Sequence, residues 1–246
     1  MRRVLLWSMA GLALGAIAYS AARLLHVKAQ ESSIRAFTAF SIERKYDLNG
    51  AEQAYEYQTH ARRSDGSMVR AYRRKAPTGE WMLVKVIGDV PARRTFAVEP
   101  ATRSVATYSL GPQGASVPAC APDANAERAT MLGYEVARVE RALSSPPEQT
   151  LLLESWVAPA LNCFPLKWTA TMGLTLGQKF RNVNEVLLVI EGEPAPSLFE
   201  IPADYKERPP SEIEAEFSKK FPGQRLLGEG VGSKLDDIYR AQQSRR

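Results

Sequence analysis

Short runs in which apolar and polar residues alternate fill the chain between residues 41 and 193, and turn residues separate them. An alternation with a period of two is typical of β-strands that bury one face. Residues 54–61 form one such run, and the Asp65-Gly66 pair that follows is a strong signal for a hairpin turn. Residues 80–89 are apolar on both faces, which indicates a strand in the interior of a sheet.

The links between these runs have the length of hairpin turns, except at residues 111–127, which are rich in Gly, Pro and Ala and predict a long loop. About eight or nine strands in this order indicate a meandering antiparallel sheet. No helical periodicity of useful length interrupts the strands, so a parallel sheet of βαβ units is not expected. The sequence therefore predicts a mainly β (α+β) protein.

Beyond residue 206 the pattern becomes helical. Ser211 and Glu214 have the spacing of a capping box, in which each side chain bonds to the backbone N–H of the other residue. Large apolar residues then follow at intervals of four: Ile213, Phe217 and Phe221. Because a short helix is marginal alone, we expect this helix to pack on the sheet. A second short helix is predicted after Ser233.

The chain begins with two arginines, and residues 4–22 then carry no charge. A basic start followed by an apolar stretch is an export signal, and this stretch approaches the roughly 20 residues that span a bilayer. A cleaved signal and a retained inner-membrane anchor are therefore both left open. Arg2 and Arg3 should stay in the cytoplasm, which places the rest of the chain in the periplasm or another extracytoplasmic space.

Three parts are expected: residues 1–29 as signal peptide or anchor, residues 30–206 as the β domain, and residues 207–246 as a helical extension. The formal net charge is +5, but four of the 32 basic residues and none of the 27 acidic ones lie in residues 1–30. The exported part is therefore close to neutral. Since nucleic-acid binding normally needs a basic domain, no nucleic acid partner is expected.

Few residues are available for catalysis or metal binding. Of the two histidines, His26 lies beside the apolar segment and His60 on a predicted strand. A hydrolase would have to use His60, but no recognised nucleophile motif accompanies it, and an exposed strand histidine is the simpler interpretation. Two cysteines and one usable histidine do not make a zinc site. We expect no enzymatic activity, no metal and no cofactor.

Cys120 and Cys163 are the two cysteines, one in the long loop and the other in a short turn. Outside the inner membrane thiols meet an oxidising compartment, and both residues are predicted at strand ends. A disulfide between them is therefore expected. Two free buried thiols are the alternative, and a reactive thiol is third because no cation-rich motif that would lower its pKa lies nearby.

Nine basic and three acidic residues lie between residues 62 and 94. On adjacent hairpins they would form a positive area suited to anionic lipid headgroups or an acidic partner. The candidates for binding an anionic group are Arg70, Arg73, Arg74 and Lys85. A solvated outer face, whose edge charges prevent pairing with other chains, is the alternative.

The predicted strands carry many large apolar residues, and on the concave side of the sheet these would form a second candidate site. The candidates for an apolar cleft are Trp81, Leu83, Phe96, Trp156, Leu166 and Trp168. An open cleft would suit a lipid or acyl chain. A packed core under the C-terminal helix is the alternative.

The exported start, the long meander, "LGYEVARVE", "ESWVAP" followed by "LKWTAT", and a closing "PSLFEIPADYK" resemble uncharacterised secreted bacterial proteins. Their general plan is similar to the lipoprotein-carrier (LolA/LolB-like) half-barrels and to periplasmic stress-sensor relatives of that fold. The resemblance implies a curved antiparallel sheet, a half-barrel, closed by helices around an apolar cavity. It also implies a lipid or lipoprotein ligand, but it transfers no site residue.

The long possible anchor and the positions of the helices depart from that family's plan. We therefore predict a half-barrel with an apolar N-terminal helix and short C-terminal helices. Its predicted function is that of a non-enzymatic envelope protein that binds a lipid, lipoprotein or other apolar ligand. The alternative is a membrane-anchored module that presents the basic hairpins or the C-terminal helices to another envelope protein.

Overall fold

The structure, a computed structural model, describes residues 34–47, 49–109, 120, 122–145, 149–173 and 179–223. The chain divides into two units, residues 1–33 and 34–246, and all the described residues belong to the second. The predicted N-terminal helix, most of the predicted long loop and the helix predicted after Ser233 lie outside them. Within the described ranges, no helix has the length and apolar character needed to cross a membrane.

Twelve strands form one sheet. The first six are β1 Phe37–Tyr46, β2 Glu52–Arg62, β3 Met68–Lys75, β4 Trp81–Asp89, β5 Arg94–Glu99 and β6 Ser104–Ser109. The others are β7 Arg128–Met131, β8 Tyr134–Ser145, β9 Gln149–Ala158, β10 Phe164–Gly173, β11 Lys179–Glu191 and β12 Lys206–Glu207. Two 3₁₀ turns, Pro159–Leu161 and Pro196–Phe199, and the helix α1, Pro210–Lys220, complete the described elements.

The sheet consists of two antiparallel meanders, β1–β6 and β7–β11, which meet where β1 pairs antiparallel with β11. The short β12 pairs parallel with β6, so β12 and β7 are the two edges of an open sheet. The prediction of a mainly β, curved antiparallel sheet is confirmed. The number of strands is larger than predicted, because β1 lies before the first predicted run and because β7 and β12 are only four and two residues long.

Strand register assigns side chains to two faces. One row across the sheet runs through Phe37, Arg62, Met68, Gly88, Thr95 and Tyr108. The next row runs through Ala39, His60, Arg70, Val86, Ala97 and Ala106. The face that carries these two rows is called the inner face, and the opposite one the outer face.

The inner face is the concave one. Phe164 on β10 lies three strands away from His60 on β2, which corresponds to roughly 14 Å in a flat sheet. The centroids of their rings are nevertheless only 5.5 Å apart, and Phe164 also lies 4.8 Å from the ring of Phe37. The sheet must therefore curl towards the inner face for these rings to meet.

The C-terminal part of the chain covers both faces. The segment 196–205, called the strap, packs Leu198, Phe199 and Ile201 on an outer-face core that includes Val69 and Ile87. The helix α1 packs on the sheet through three buried side chains: Ile213, Phe217 and Phe221. The predicted packing of this helix on the sheet is thus confirmed.

The predicted capping box is wrong in its position. The N-cap of α1 is Pro209, and Pro210 is the first helical residue. Proline is favoured there because its φ angle is already helical and the first turn does not need its N–H. Ser211 therefore lies inside the first turn.

Candidate ligand-binding site

A cavity of about 310 Å³ opens over strands β1–β5 on the inner face. Its apolar lining includes Phe37, Met68, Val86, Val90 and Phe164. Its polar lining includes His60, Arg62, Arg70 and Thr95. This combination of apolar walls with a few polar groups is typical of sites that bind small amphipathic molecules.

Gly88 keeps the cavity open at its floor. It occupies the inner-face position between Met68 and Thr95, where any other residue would project a side chain. A Cβ atom added to Gly88 would have the Met68 carbonyl oxygen as its nearest neighbour, at 3.9 Å. The space above this strand is therefore free, and glycine at such a strand position allows close approach of a ligand.

A second cavity of about 200 Å³ lies between the sheet and α1. It shares Val86 with the first cavity, and its lining includes Tyr72, Val84, Ala106 and Ile213. The two cavities follow each other along the inner face and together form a trough, with the helix over its far end.

His60 is a polar but uncharged part of the cavity wall. Its Nε2 atom lies 3.2 Å from the hydroxyl of Ser41, which also accepts a hydrogen bond from the amide of Asn184 at 3.2 Å. Burial, and to a lesser extent the positive charge of Arg70, lower the pKa of His60 to about 4. His60 was expected to be exposed, but it is partly buried. Its side chain lies on the concave inner face, whereas Tyr57 is exposed on the opposite face of the same strand.

Arg70 is neutralised within the protein. Its Nη2 atom lies 3.2 Å from a carboxylate oxygen of Glu43, and its Nε donates to the side-chain oxygen of Gln58 at 3.0 Å. Gln58 also donates to Glu43 at 2.7 Å. The buried carboxylate of Glu43 thus receives both a charge partner and a neutral donor.

Arg62 has no such neutralisation, although it is only 8% exposed. Its Nη1 donates to the carbonyl oxygen of Leu161 at 3.1 Å, and its Nη2 lies 3.3 Å from the sulfur of Met68. The Nε–H has no acceptor, and among the described residues no carboxylate forms an ion pair with this guanidinium. Burial accordingly lowers the pKa of Arg62. Sequence reasoning placed Arg62 in the basic area but did not select it, because its burial follows from curvature.

The disulfide predicted between Cys120 and Cys163 is present, with 5.3 Å between the two Cα atoms. It borders a more open cavity of about 790 Å³ between residues 122–127 and strands β8 and β9. This cavity has a strongly charged wall, in which Arg138 pairs with Glu127, Glu140 and Glu154. An apolar ligand suits the inner-face trough better.

The six residues predicted for an apolar cleft are found in three places. Trp81 and Leu83 lie on the outer face, where Trp81 is 62% exposed, and Phe96 packs against the outer-face core. Trp156 and the buried Leu166 belong to the core around Phe37. Trp168 is half-buried on β10, opposite Ser155 and Asn184. The structure does not gather these residues around one cavity, and a ligand contact for any of them stays a prediction.

The four basic residues predicted to bind an anionic group are divided between the faces. Arg70 and Arg74 lie on the inner face, where Arg74 pairs with Glu99 at 2.6 Å. Arg73 and Lys85 lie on the outer face, and the Lys85 ammonium donates to the carbonyl oxygens of Ser197 and Glu200 in the strap. A single positive area made of all four residues does not form, and their role in anion binding stays a prediction.

No protein-family model matches this chain, and no curated protein does either. Among solved structures, PNGF-II is similar with a TM-score of 0.40 and 14% identity over 75% of this chain, which spans only 33% of that protein. A LolA superfamily protein from Nitrosomonas europaea has a TM-score of 0.34 and 9% identity, with 68% of this chain and 90% of that one covered.

A domain described as an outer membrane lipoprotein-sorting protein, from Vibrio parahaemolyticus, has a TM-score of 0.33 and 9% identity, with 72% and 94% covered. The expected resemblance to the LolA superfamily is thus confirmed among solved structures. At such TM-scores the likeness says nothing about a ligand or a binding site. The assignment of the candidate site rests on the geometry of the inner face.

Proposed function

We propose that this protein is exported to the cell envelope and holds the acyl chain of a lipid or lipoprotein in its inner-face trough. The observation that carries the proposal is the cavity of about 310 Å³ with apolar walls, continued by a second one of about 200 Å³ under α1. A preformed cavity of this kind is suited to an apolar ligand because the ligand's surface leaves water on binding.

We propose further that the protein catalyses no reaction at this site. Ser41 and His60 approach within hydrogen-bond distance, as a nucleophile and its base would. However, Ser41 is only 1% exposed, so a substrate could reach its hydroxyl only if the sheet opened. A histidine with a pKa of about 4 is also a weak base near neutral pH. The pair is better explained as a polar part of the cavity wall.

Filling the cavity from its floor tests the proposal. The probe is N-phenyl-1-naphthylamine, a neutral dye whose emission rises in apolar surroundings. In Gly88→Phe the new ring would occupy the free space, so we expect the affinity for the dye to fall about tenfold or more. Leu83→Phe on the outer face of the same strand is the matched control and should bind like the wild type. Equal binding by all three proteins would reject the cavity as the site.

A second candidate function, an interaction module of the envelope, is favoured by one observation. On the outer face of β1 and β11, Phe40 lies opposite Leu188 and Thr38 opposite Ile190, and the three large apolar residues are 40–52% exposed. Exposed apolar clusters often mark protein contacts. Cross-linking in cells tests it: a single dominant protein partner, lost in Leu188→Asp, would favour this function.

A further inference from the structure

Two arginines line the inner-face cavity but differ in their electrostatic surroundings. Arg70 is paired with Glu43 and bonded to Gln58, so its charge is balanced inside the protein. The Arg62 guanidinium contacts the Leu161 carbonyl, the Met68 sulfur and, at 5.6 Å, the Phe37 ring, but it pairs with no carboxylate of the described residues. His60, which lies opposite Arg70 on the neighbouring strand, stays neutral near pH 7. Among the described residues that line the cavity, Arg62 therefore carries a positive charge that no carboxylate balances.

Such an arrangement is costly for the unliganded protein. A charged group that leaves water without a counter-ion loses solvation that a carbonyl oxygen only partly replaces. A thioether is a weak acceptor, and the Nε–H of Arg62 has none at all. A guanidinium has five N–H groups, and in Arg62 the recorded strong acceptor is the Leu161 carbonyl oxygen, which receives a hydrogen bond from Nη1. The unused donors and the unbalanced charge are what an anionic group would satisfy.

We propose that Arg62 binds the anionic head, a carboxylate or a phosphate, of a single-chain amphiphile whose tail lies in the inner-face cavity. The inference rests on the proposed function and adds the class of ligand to it. The apolar lining of Val86, Val90 and Phe164 accommodates the tail, and Arg62 in the cavity wall receives the head. Carboxylate and phosphate both present oxygens that a guanidinium binds in a bidentate manner.

The test compares three ligands that share one tail: decanoate, decyl phosphate and decanol. Their affinities for the full-length protein are measured by competition against the neutral dye. We expect decanoate, decyl phosphate or both to bind at least about tenfold more tightly than decanol, because hydrogen bonds to charged groups are strong. A preference for one of the two anions supports the proposal and identifies the head group.

Two charge-removing variants locate the preference. In Arg62→Met the anions should bind no better than decanol, so the ratio of their affinities to that of decanol should fall to about one. Arg63→Met is the matched control: Arg63 is the next residue in the chain, but its guanidinium lies 3.9 Å from the ring of Phe199 in the strap. It should keep the full preference for anions. A preference that survives in Arg62→Met would overturn the proposal.

The outcomes separate this inference from the function on which it rests. If wild-type protein binds all three ligands equally, the head-group site is rejected while the acyl-chain cavity stands. If neither the dye nor any of the three ligands binds, the proposed function fails, and the inference fails with it. Should Arg62→Met not fold, the wild-type comparison of anions with decanol still decides, and Arg62→Lys, which keeps the charge, should retain a preference for anions.

Discussion

His60 shows at the scale of one residue how curvature changes chemistry. Its Nε2 atom lies 3.2 Å from the Ser41 hydroxyl and its ring 5.5 Å from that of Phe164, and this partial burial disfavours a charged imidazolium. The sequence contained the information that His60 and Tyr57 face opposite sides of a strand. The sequence does not show which face of the sheet is concave. The concave face depends on how the sheet curls to bring β2 close to β10, although β1 and β11 lie between them.

The depressed pKa of His60 predicts a loss of stability in mild acid. Between the ordinary value of 6.5 and the folded value of about 4, the unfolded chain binds a proton that the folded chain does not. Stability therefore rises with pH through this window, and lowering the pH from 7 to 5 should cost about 2 kcal/mol from this residue.

Urea unfolding of the wild type and of His60→Gln at both pH values measures this contribution. The variant should lose less stability than the wild type by about that amount, since its amide does not titrate. A His26→Gln variant serves as control, because it removes the other histidine. The same loss in all three proteins would show that other groups, and not His60, cause the pH dependence.

The helix α1 is held to the inner face by a small aromatic cluster. Phe217 is only 4% exposed, its ring lies 4.9 Å from that of Phe221, and the Arg74 guanidinium lies 5.5 Å from it. Ala76 and Ala101 are the other buried members of this cluster, and the Lys220 ammonium donates to the Ala101 carbonyl oxygen at 2.7 Å. The helix also covers the second cavity.

Truncating the central ring of this cluster should release the helix. Phe217→Ala is expected to lower the free energy of unfolding by about 3 kcal/mol, because a buried phenylalanine leaves a cavity that the sheet cannot fill. Hydrogen exchange should show faster exchange in Pro210–Lys220 than in β1–β4. The exposed Lys219→Ala in the same helix is the control, with a change within about 0.5 kcal/mol. Unchanged exchange in α1 would mean that other contacts hold it.

Several elements could be predicted because local chemistry determines them. The β2–β3 hairpin follows from Asp65-Gly66, and Gly66 indeed has the positive φ of 89° that such turns need. The strand β1 was missed because charged residues follow its apolar half and because its buried inner-face row includes the polar residues Ser41 and Glu43. The helix start was misplaced by two residues, since the N-cap is Pro209 and not Ser211, and a proline at the first helical position replaces the capping box.

The described part of residues 34–223 forms an open sheet whose two meanders meet at β1 and β11, with the strap on its outer face and α1 on its inner face. This arrangement leaves the inner-face cavity between the junction of the meanders and the helix. The disulfide between Cys120 and Cys163 joins the chain just before β7 to the turn before β10. Covalent closure of that part favours the folded sheet, because it restricts the unfolded chain.

At this scale the sequence predicted the class of fold but not the site. Period-two alternation and turn chemistry were enough for a mainly β, antiparallel chain. The cavity residues, however, depend on register between strands far apart in the chain: Phe37, Arg62 and Phe164 come from β1, β2 and β10. Large apolar residues were a poor guide, since Trp81 and Leu83 lie on the outer face.

Native mass spectrometry of the full-length protein, gently extracted from the cell envelope, tests most directly whether the trough holds a lipid. We expect wild-type protein to carry an acyl-chain molecule as added mass, and Gly88→Phe, purified in the same way, to carry much less of it. Wild-type protein that shows only its own mass, or an added mass that Gly88→Phe retains in full, would contradict the proposal.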